Sequence, residues 1–139
     1  MAAPAREVVE QILRAGRDLD AETLLALMAS DGYIEWPYRP AGVPARLRGH
    51  AEIRAYLASA AKAPIRWNEF VDVVMHETVD PEVVIVEYEG HGTVTTTGAP
   101  YLQNVIAVFR VRAGRIISWR DYFNPLALAA ARVDASAPS

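Results

Sequence analysis

The stretch from Tyr101 to Pro125, YLQNVIAVFRVRAGRIISWRDYFNP, decides the fold. Apolar and polar residues alternate on both sides of Ala113-Gly114, which reads as two long strands joined by a tight turn. Asn124-Pro125 then reads as a helix start, with Asn124 as N-cap and Pro125 in the first helical position. One carboxylate, Asp121, stands among Trp119, Tyr122 and Phe123. Alternation sets Trp119, Asp121 and Phe123 on one face and Arg120 on the other, so Arg120 is poorly placed to neutralise Asp121. On the strand before the turn, Gln103, Val105, Ala107 and Phe109 share one face, and Leu102, Ile106 and Val108 the other. Both faces are apolar enough to need cover, and helices can cover only one. The expectation is a homodimer through the other sheet face.

Upstream, Val8, Val9, Ile12 and Leu13 recur at helical spacing from Pro4 to about Ala15, with Gly16 as the expected stop. Asp20 is the expected N-cap of a second helix whose apolar side is Leu24, Leu25, Leu27 and Met28, closed by Asp31-Gly32. Tyr33 to Trp36 reads as a short strand and the proline- and glycine-rich residues 37–49 as a loop. A third helix runs from His50 to about Lys62. Strands follow at about Trp67–Val79, Val83–Thr97, Tyr101–Arg112 and Arg115–Phe123. A short closing helix spans Pro125 to about Arg132. Helices followed by hairpin-linked strands imply an α+β fold, with three N-terminal helices on one face of a curved antiparallel sheet. The expected organisation is a single domain over 1–134 with a frayed tail at 135–139.

The chain has 139 residues, 52% hydrophobic, enough for one core. Its net charge of −3 is spread in both signs, with no basic stripe interleaved with aromatics, so nucleic acid is not an expected partner. No cysteine is present, which excludes disulfides and thiolate metal sites. No signal-peptide core or membrane-length apolar run is found, and the expected location is cytoplasmic, away from membranes.

The order of elements resembles the NTF2-like superfamily, in particular SnoaL-like polyketide cyclases, phenazine-biosynthesis A/B proteins, ketosteroid isomerases and limonene-epoxide hydrolases. The residues that carry the resemblance are Asp31-Gly32-Tyr33-Ile34-Glu35-Trp36-Pro37, Leu47-Arg48-Gly49-His50-Ala51-Glu52-Ile53, Phe109-Arg110, Gly114-Arg115-Ile116 and Trp119 to Pro125. The last segment is similar to one in limonene-epoxide hydrolases whose aspartate is catalytic, and to one in the phenazine proteins whose acidic residue is a proposed acid/base. Both fall on Asp121. The resemblance implies a cone-shaped domain with Asp121 facing its cavity. The chain also departs from these families. Where the epoxide hydrolases hold water with Tyr-x-Asn and Arg-x-Asp, it has Ile34 and Trp36, then Tyr88 and Gly90; where ketosteroid isomerases place their base, it has Trp36.

A carboxylate in an apolar cleft loses hydration and its pKa rises toward neutrality, where it can exchange protons with a substrate. Asp121 is therefore the expected general acid/base, with Tyr88 and Tyr101 as phenolic donors for an oxyanion. Tyr33, Trp36, Trp67, Gln103, Val105, Trp119 and Phe123 are the expected substrate contacts, Tyr33, Trp36 and Tyr38 standing at the cavity mouth. The expected ligand is a small apolar molecule, with no cofactor and no metal. Glu87, Glu89 and His91 share one strand face and read as a solvated surface; a bulge near Gly90 or Gly92 is the one route by which Glu87 or Glu89 turns inward. The function this supports is isomerisation or cyclisation of a polyketide-, terpenoid- or steroid-like substrate. Epoxide opening is the alternative if Glu35, Glu87 or Glu89 joins Asp121. A non-catalytic ligand carrier or a dimerisation scaffold are the alternatives outside enzymes.

Overall fold

The computed structural model of the chain describes residues 3–136. The elements follow in the order α1 (Ala5–Asp18), α2 (Ala21–Leu27), β1 (Met28–Glu35), β2 (Arg46–Arg48), α3 (Gly49–Ala60), β3 (Ile65–Glu77), β4 (Val83–Val94), β5 (Pro100–Arg112), β6 (Arg115–Phe123) and α4 (Pro125–Ser136). The architecture is α+β, with the helices set against one six-stranded sheet in the order β2-β1-β6-β5-β4-β3.

Helix α1 buries Val8, Val9, Ile12 and Leu13, the stripe its period demands. It passes through Gly16 and ends at Asp18. There Leu19 takes a left-handed φ of 54°, and the next amide, Asp20 N–H, returns to the Ala15 carbonyl at 2.9 Å. Gly16 is thus an interior residue and not the stop, because the cap falls three residues later on a leucine. Asp20 caps α2 by accepting from Thr23 N–H at 3.2 Å. Asp31-Gly32 does not close that helix. It lies inside β1, where the pairing register shifts between Met28 and Tyr33 and a side chain on Gly32 would strike the Ile116 carbonyl. The proline-rich loop also holds an unforeseen short strand, β2, paired to β1 through Tyr33 and Arg48.

β3, β4, β5 and β6 form antiparallel neighbours, as hairpin connections require. β1 pairs parallel with β6, so the sheet is mixed. The alternation of β5 is complete: Tyr101, Gln103, Val105, Ala107, Phe109 and Val111 are buried, while Leu102 and Ile106 stay 54% and 46% exposed. The main core joins the buried faces of α1 and α2 to Val84, Val86, Ala107, Phe109 and Trp119 on the sheet.

Asn124 caps α4, its side chain accepting from Leu126 N–H at 3.0 Å. The helix extends to Ser136, past the expected end near Arg132, so Ala135 and Ser136 are helical; the rest of the expected frayed tail lies outside the described residues. Among the described residues, no helix is long and apolar enough to cross a membrane.

Candidate active site

Register builds the site. Asp121 pairs with Ala107, Ala107 with Val86 and Val86 with Met75, so the carboxylate stands at one end of a row that is otherwise apolar. The flanking rows are Trp119-Phe109-Val84 and Phe123-Val105-Tyr88. The parallel pairing of Glu35 with Arg120 brings Trp36, the next residue, beside Asp121. Its indole Nε1 donates to Asp121 Oδ2 at 3.2 Å.

Above this face lies a cavity of about 410 Å³, within the range of small-molecule sites. Sheet, α1, α3 and α4 all contribute to its lining, which includes Trp36, Trp67, Tyr88, Tyr101, Gln103, Val105, Trp119, Asp121 and Phe123. Nine of the ten positions expected from the sequence therefore share one cavity. The exception is Tyr33. Three residues from Trp36 on one strand, it faces the other way and packs under the guanidinium groups of Arg46 and Arg48, 4.3 and 5.0 Å from its ring centroid. Tyr38 is likewise not among the lining residues; it is exposed and sits edge-on to Tyr122.

Asp121 Oδ1 is buried without a hydrogen-bond partner among the described residues, and so is Trp119 Nε1. Loss of hydration dominates and pushes the Asp121 carboxyl from its ordinary 3.8 up to about 6; the Trp36 N–H pulls the other way and does not prevail. Phenols surround it. Burial drives the Tyr88 hydroxyl well above 10, and the negative charge of Asp121 adds to the effect. Burial also raises Tyr101, against the hydrogen bond from Gln103 and the positive charge of Arg132. The net effect leaves both phenols protonated and able to donate.

Gln103 is 2% exposed and fully engaged. Its amide nitrogen donates to Tyr101 Oη at 2.8 Å and to the Asn124 carbonyl at 3.0 Å, while its oxygen accepts from Asn124 N–H at 2.7 Å. Its geometry makes it a brace: it occupies one lone pair of the Tyr101 oxygen and leaves that hydroxyl's proton free.

Among the lining residues not expected to touch a ligand are Tyr56 and Arg132. Tyr56, on α3, stacks on Trp36 with ring centroids 5.0 Å apart. Burial and then the charge of Asp121 raise its hydroxyl, while Arg132 lowers it. Arg132, on α4, faces the same space. Helical period could have marked Tyr56 beside Ile53 and Leu57, but nothing in the period says what a helix docks over.

Trp67 lies flat on β4 because Gly90 and Gly92 have no side chains. A Cβ at Gly90 would fall 2.6 Å from the indole, and one at Gly92 would fall 2.5 Å from the Arg66 carbonyl oxygen. The bulges occur in β3, not at these glycines. Glu87 and Glu89 consequently keep to the outer face, Glu87 bonded to His76 at 2.7 Å and Glu89 within 3.4 Å of His91. Glu35 is held outside by Arg46 and Arg120. Among the described residues, Asp121 is the one carboxylate lining the cavity, so the second carboxylate that epoxide opening calls for is not beside it. A wider depression of about 490 Å³ on the outer side is bordered by Asp72, Glu87, Glu89, Asn104 and Ile106 and contains neither Asp121 nor an unpaired indole.

Comparison with known proteins agrees with this fold. An uncharacterised PhzA/B-like protein of Pseudomonas aeruginosa is 35% identical over 123 residues, covering 88% of this chain and 85% of that one. A Bacillus subtilis structure described as a candidate isomerase is 32% identical, with a TM-score of 0.85 over 93% of this chain and 92% of the other. A candidate polyketide cyclase from Xanthomonas campestris pv. campestris is 25% identical, with a TM-score of 0.76 over 91% and 94%. The family model of the SnoaL-like domain matches residues 9–119, and the chain accordingly belongs to the SnoaL-like family.

Proposed function

We propose that the protein is a cofactor-independent acid/base enzyme of the isomerase or cyclase type, acting on a small, largely apolar polyketide-, terpenoid- or steroid-like molecule. The observation that carries this reading is Asp121, a carboxyl that burial raises to about 6, facing a small-molecule cavity with one oxygen unpaired among the described residues. Such a group is ionised enough near neutral pH to take a proton and basic enough to hold it.

In this reading the ionised Asp121 Oδ1 removes a proton from a carbon made acidic by a neighbouring carbonyl. The C–H electron pair moves into the new C=C bond, and charge grows on the carbonyl oxygen. Tyr88, Tyr101 or Tyr56 donates to that oxygen, and the unpaired Trp119 N–H is a fourth donor in the same wall. Asp121 then returns its proton at a different carbon, or the enolate carbon attacks an internal carbonyl carbon to close a ring, the C=O π pair moves onto that oxygen, and the alkoxide takes the proton back from Asp121. Trp36 keeps Oδ2 occupied and so directs Oδ1 toward the substrate. The isomerase and cyclase descriptions of two relatives support the reaction class.

Three expectations from the sequence belong to the same proposal: one domain, a cytoplasmic setting, and a homodimer joined through the outer sheet face around Leu102 and Ile106. The catalytic reading is tested by carboxyl-carbon NMR titration, with Asp121→Asn identifying the signal. A midpoint near 6 is expected. A midpoint near 4 removes the physical basis for acid/base work and favours a ligand carrier.

A further inference from the structure

Among the described residues the cavity is lined by two charged side chains of opposite sign, and the reaction above uses only Asp121. The other is Arg132. Its Nη1 donates to the Ala41 carbonyl at 3.0 Å. A Cβ on the neighbouring Gly42 would lie 3.6 Å from the same nitrogen, an ordinary contact. No carboxylate of the described side chains lies within salt-bridge distance of this guanidinium, whereas Arg46 is held by Glu35 at 2.5 Å and Arg110 by Asp80 and Glu82 at 3.0 Å. A guanidinium has five N–H donors in a planar fork, and one bond to a carbonyl leaves most of that fork open.

Tyr56 and Tyr101 locate the charge relative to the reacting group. Both hydroxyls respond to Asp121 in one direction and to Arg132 in the other, so they stand in the field of both. Arg132 is exposed at the border of this space, and a ligand that covers it with hydrocarbon removes part of its water and returns nothing. A ligand carboxylate replaces that water with a forked, charge-assisted pair. The same carboxylate is repelled by Asp121, so only one orientation satisfies both ends.

We propose that Arg132 anchors a carboxylate of the substrate, which is therefore an amphipathic acid: its anionic end at α4 and its apolar body along Trp36 and Tyr56. That the far end reacts at Asp121 rests on the acid/base reading; the anchoring itself does not.

The test uses 2-naphthoate and its neutral isostere 2-naphthamide as probes, with binding followed by tryptophan fluorescence at pH 8 and low ionic strength. The wild type is expected to bind the acid about ten-fold more tightly than the amide, the scale of a charge-assisted hydrogen-bonded pair. Arg132→Gln is expected to bring the two within about two-fold while the amide's affinity holds, and Arg132→Lys to recover part of the preference. In Asp121→Asn the acid gains affinity, because the like charge is gone. Acid bound no more tightly than amide by the wild type, including no acid binding at all, overturns the proposal. So does a preference that survives Arg132→Gln. If the preference follows Arg132 but Asp121 titrates near 4, the anchor stands and the acid/base reading falls; the opposite pair of results separates them the other way.

Discussion

Replacing Asp121 with Asn should make the protein more stable, by an amount that depends on pH. The folded carboxyl titrates at about 6, against 3.8 for an ordinary aspartate. Below about pH 4 the carboxyl is protonated in both the folded and unfolded chain and costs nothing. Between 4 and 6 the unfolded chain releases its proton while the folded one keeps it, so stability falls as pH rises. Above 6 the full cost stands. A shift of about two units at 1.36 kcal/mol each gives about 3 kcal/mol. For a domain of this size that is roughly 6–12 °C in melting temperature. Asparagine keeps the shape and can still accept from Trp36 through its oxygen, so the comparison isolates the charge. Thermal unfolding of both proteins followed by circular dichroism from pH 4 to pH 8 provides the assay. The two melting temperatures should agree within a degree or two at pH 4, and the variant should pull ahead across a midpoint near 6. A gap independent of pH, or a wild type that is the more stable at pH 8, refutes the reasoning, since either means that the charge is solvated or paired.

Gln103→Leu should cost about 1–3 kcal/mol in urea unfolding, because it leaves the Asn124 amide without its partner and its carbonyl with only the long bond from Leu128 N–H; it also releases Tyr101 Oη. A loss below 1 kcal/mol would show that water replaces the amide. Gly90→Ala should cost about 1–3 kcal/mol and shift tryptophan emission to longer wavelength, because the new methyl lifts Trp67 off β4. Unchanged emission would mean that the ring has room to slide. Light scattering on a sizing column should give the wild type twice the chain mass and Ile106→Lys the chain mass once; a monomeric wild type ends the homodimer proposal.

How much of this was legible in the sequence depended on which period carried the information. The two-residue period of β5 and β6 was strong enough to assign Gln103, Val105, Ala107, Trp119, Asp121 and Phe123 to one face, and the structure has all six there. The same period would have turned Tyr33 away from Trp36, since an odd separation on a strand means opposite faces; the shared aromatic character concealed it. The stop expected at Gly16 failed for another reason. Glycine permits a helix to end but does not compel it, and here the cap geometry formed at Leu19. The parallel pairing of β1 with β6 left no local trace, because it joins segments more than eighty residues apart. Tyr56 and Arg132 reach the cavity from helices whose docking is set by tertiary packing, beyond any pattern within α3 or α4.

That parallel pair also governs when the site comes into being. Trp36 and Asp121 are separated by 85 positions, and the bond between them closes most of the chain into a loop. Contacts of such long range must offset a large loss of chain entropy before they contribute anything, and they slow folding. During synthesis β1 has only β2 beside it until the last strand, β6, emerges, and Trp36 lacks Asp121 until then. Binding competence should therefore appear late in refolding, after the β3-β4-β5 meander has formed, and a ligand that needs Trp36 and Asp121 together would report completion of the chain.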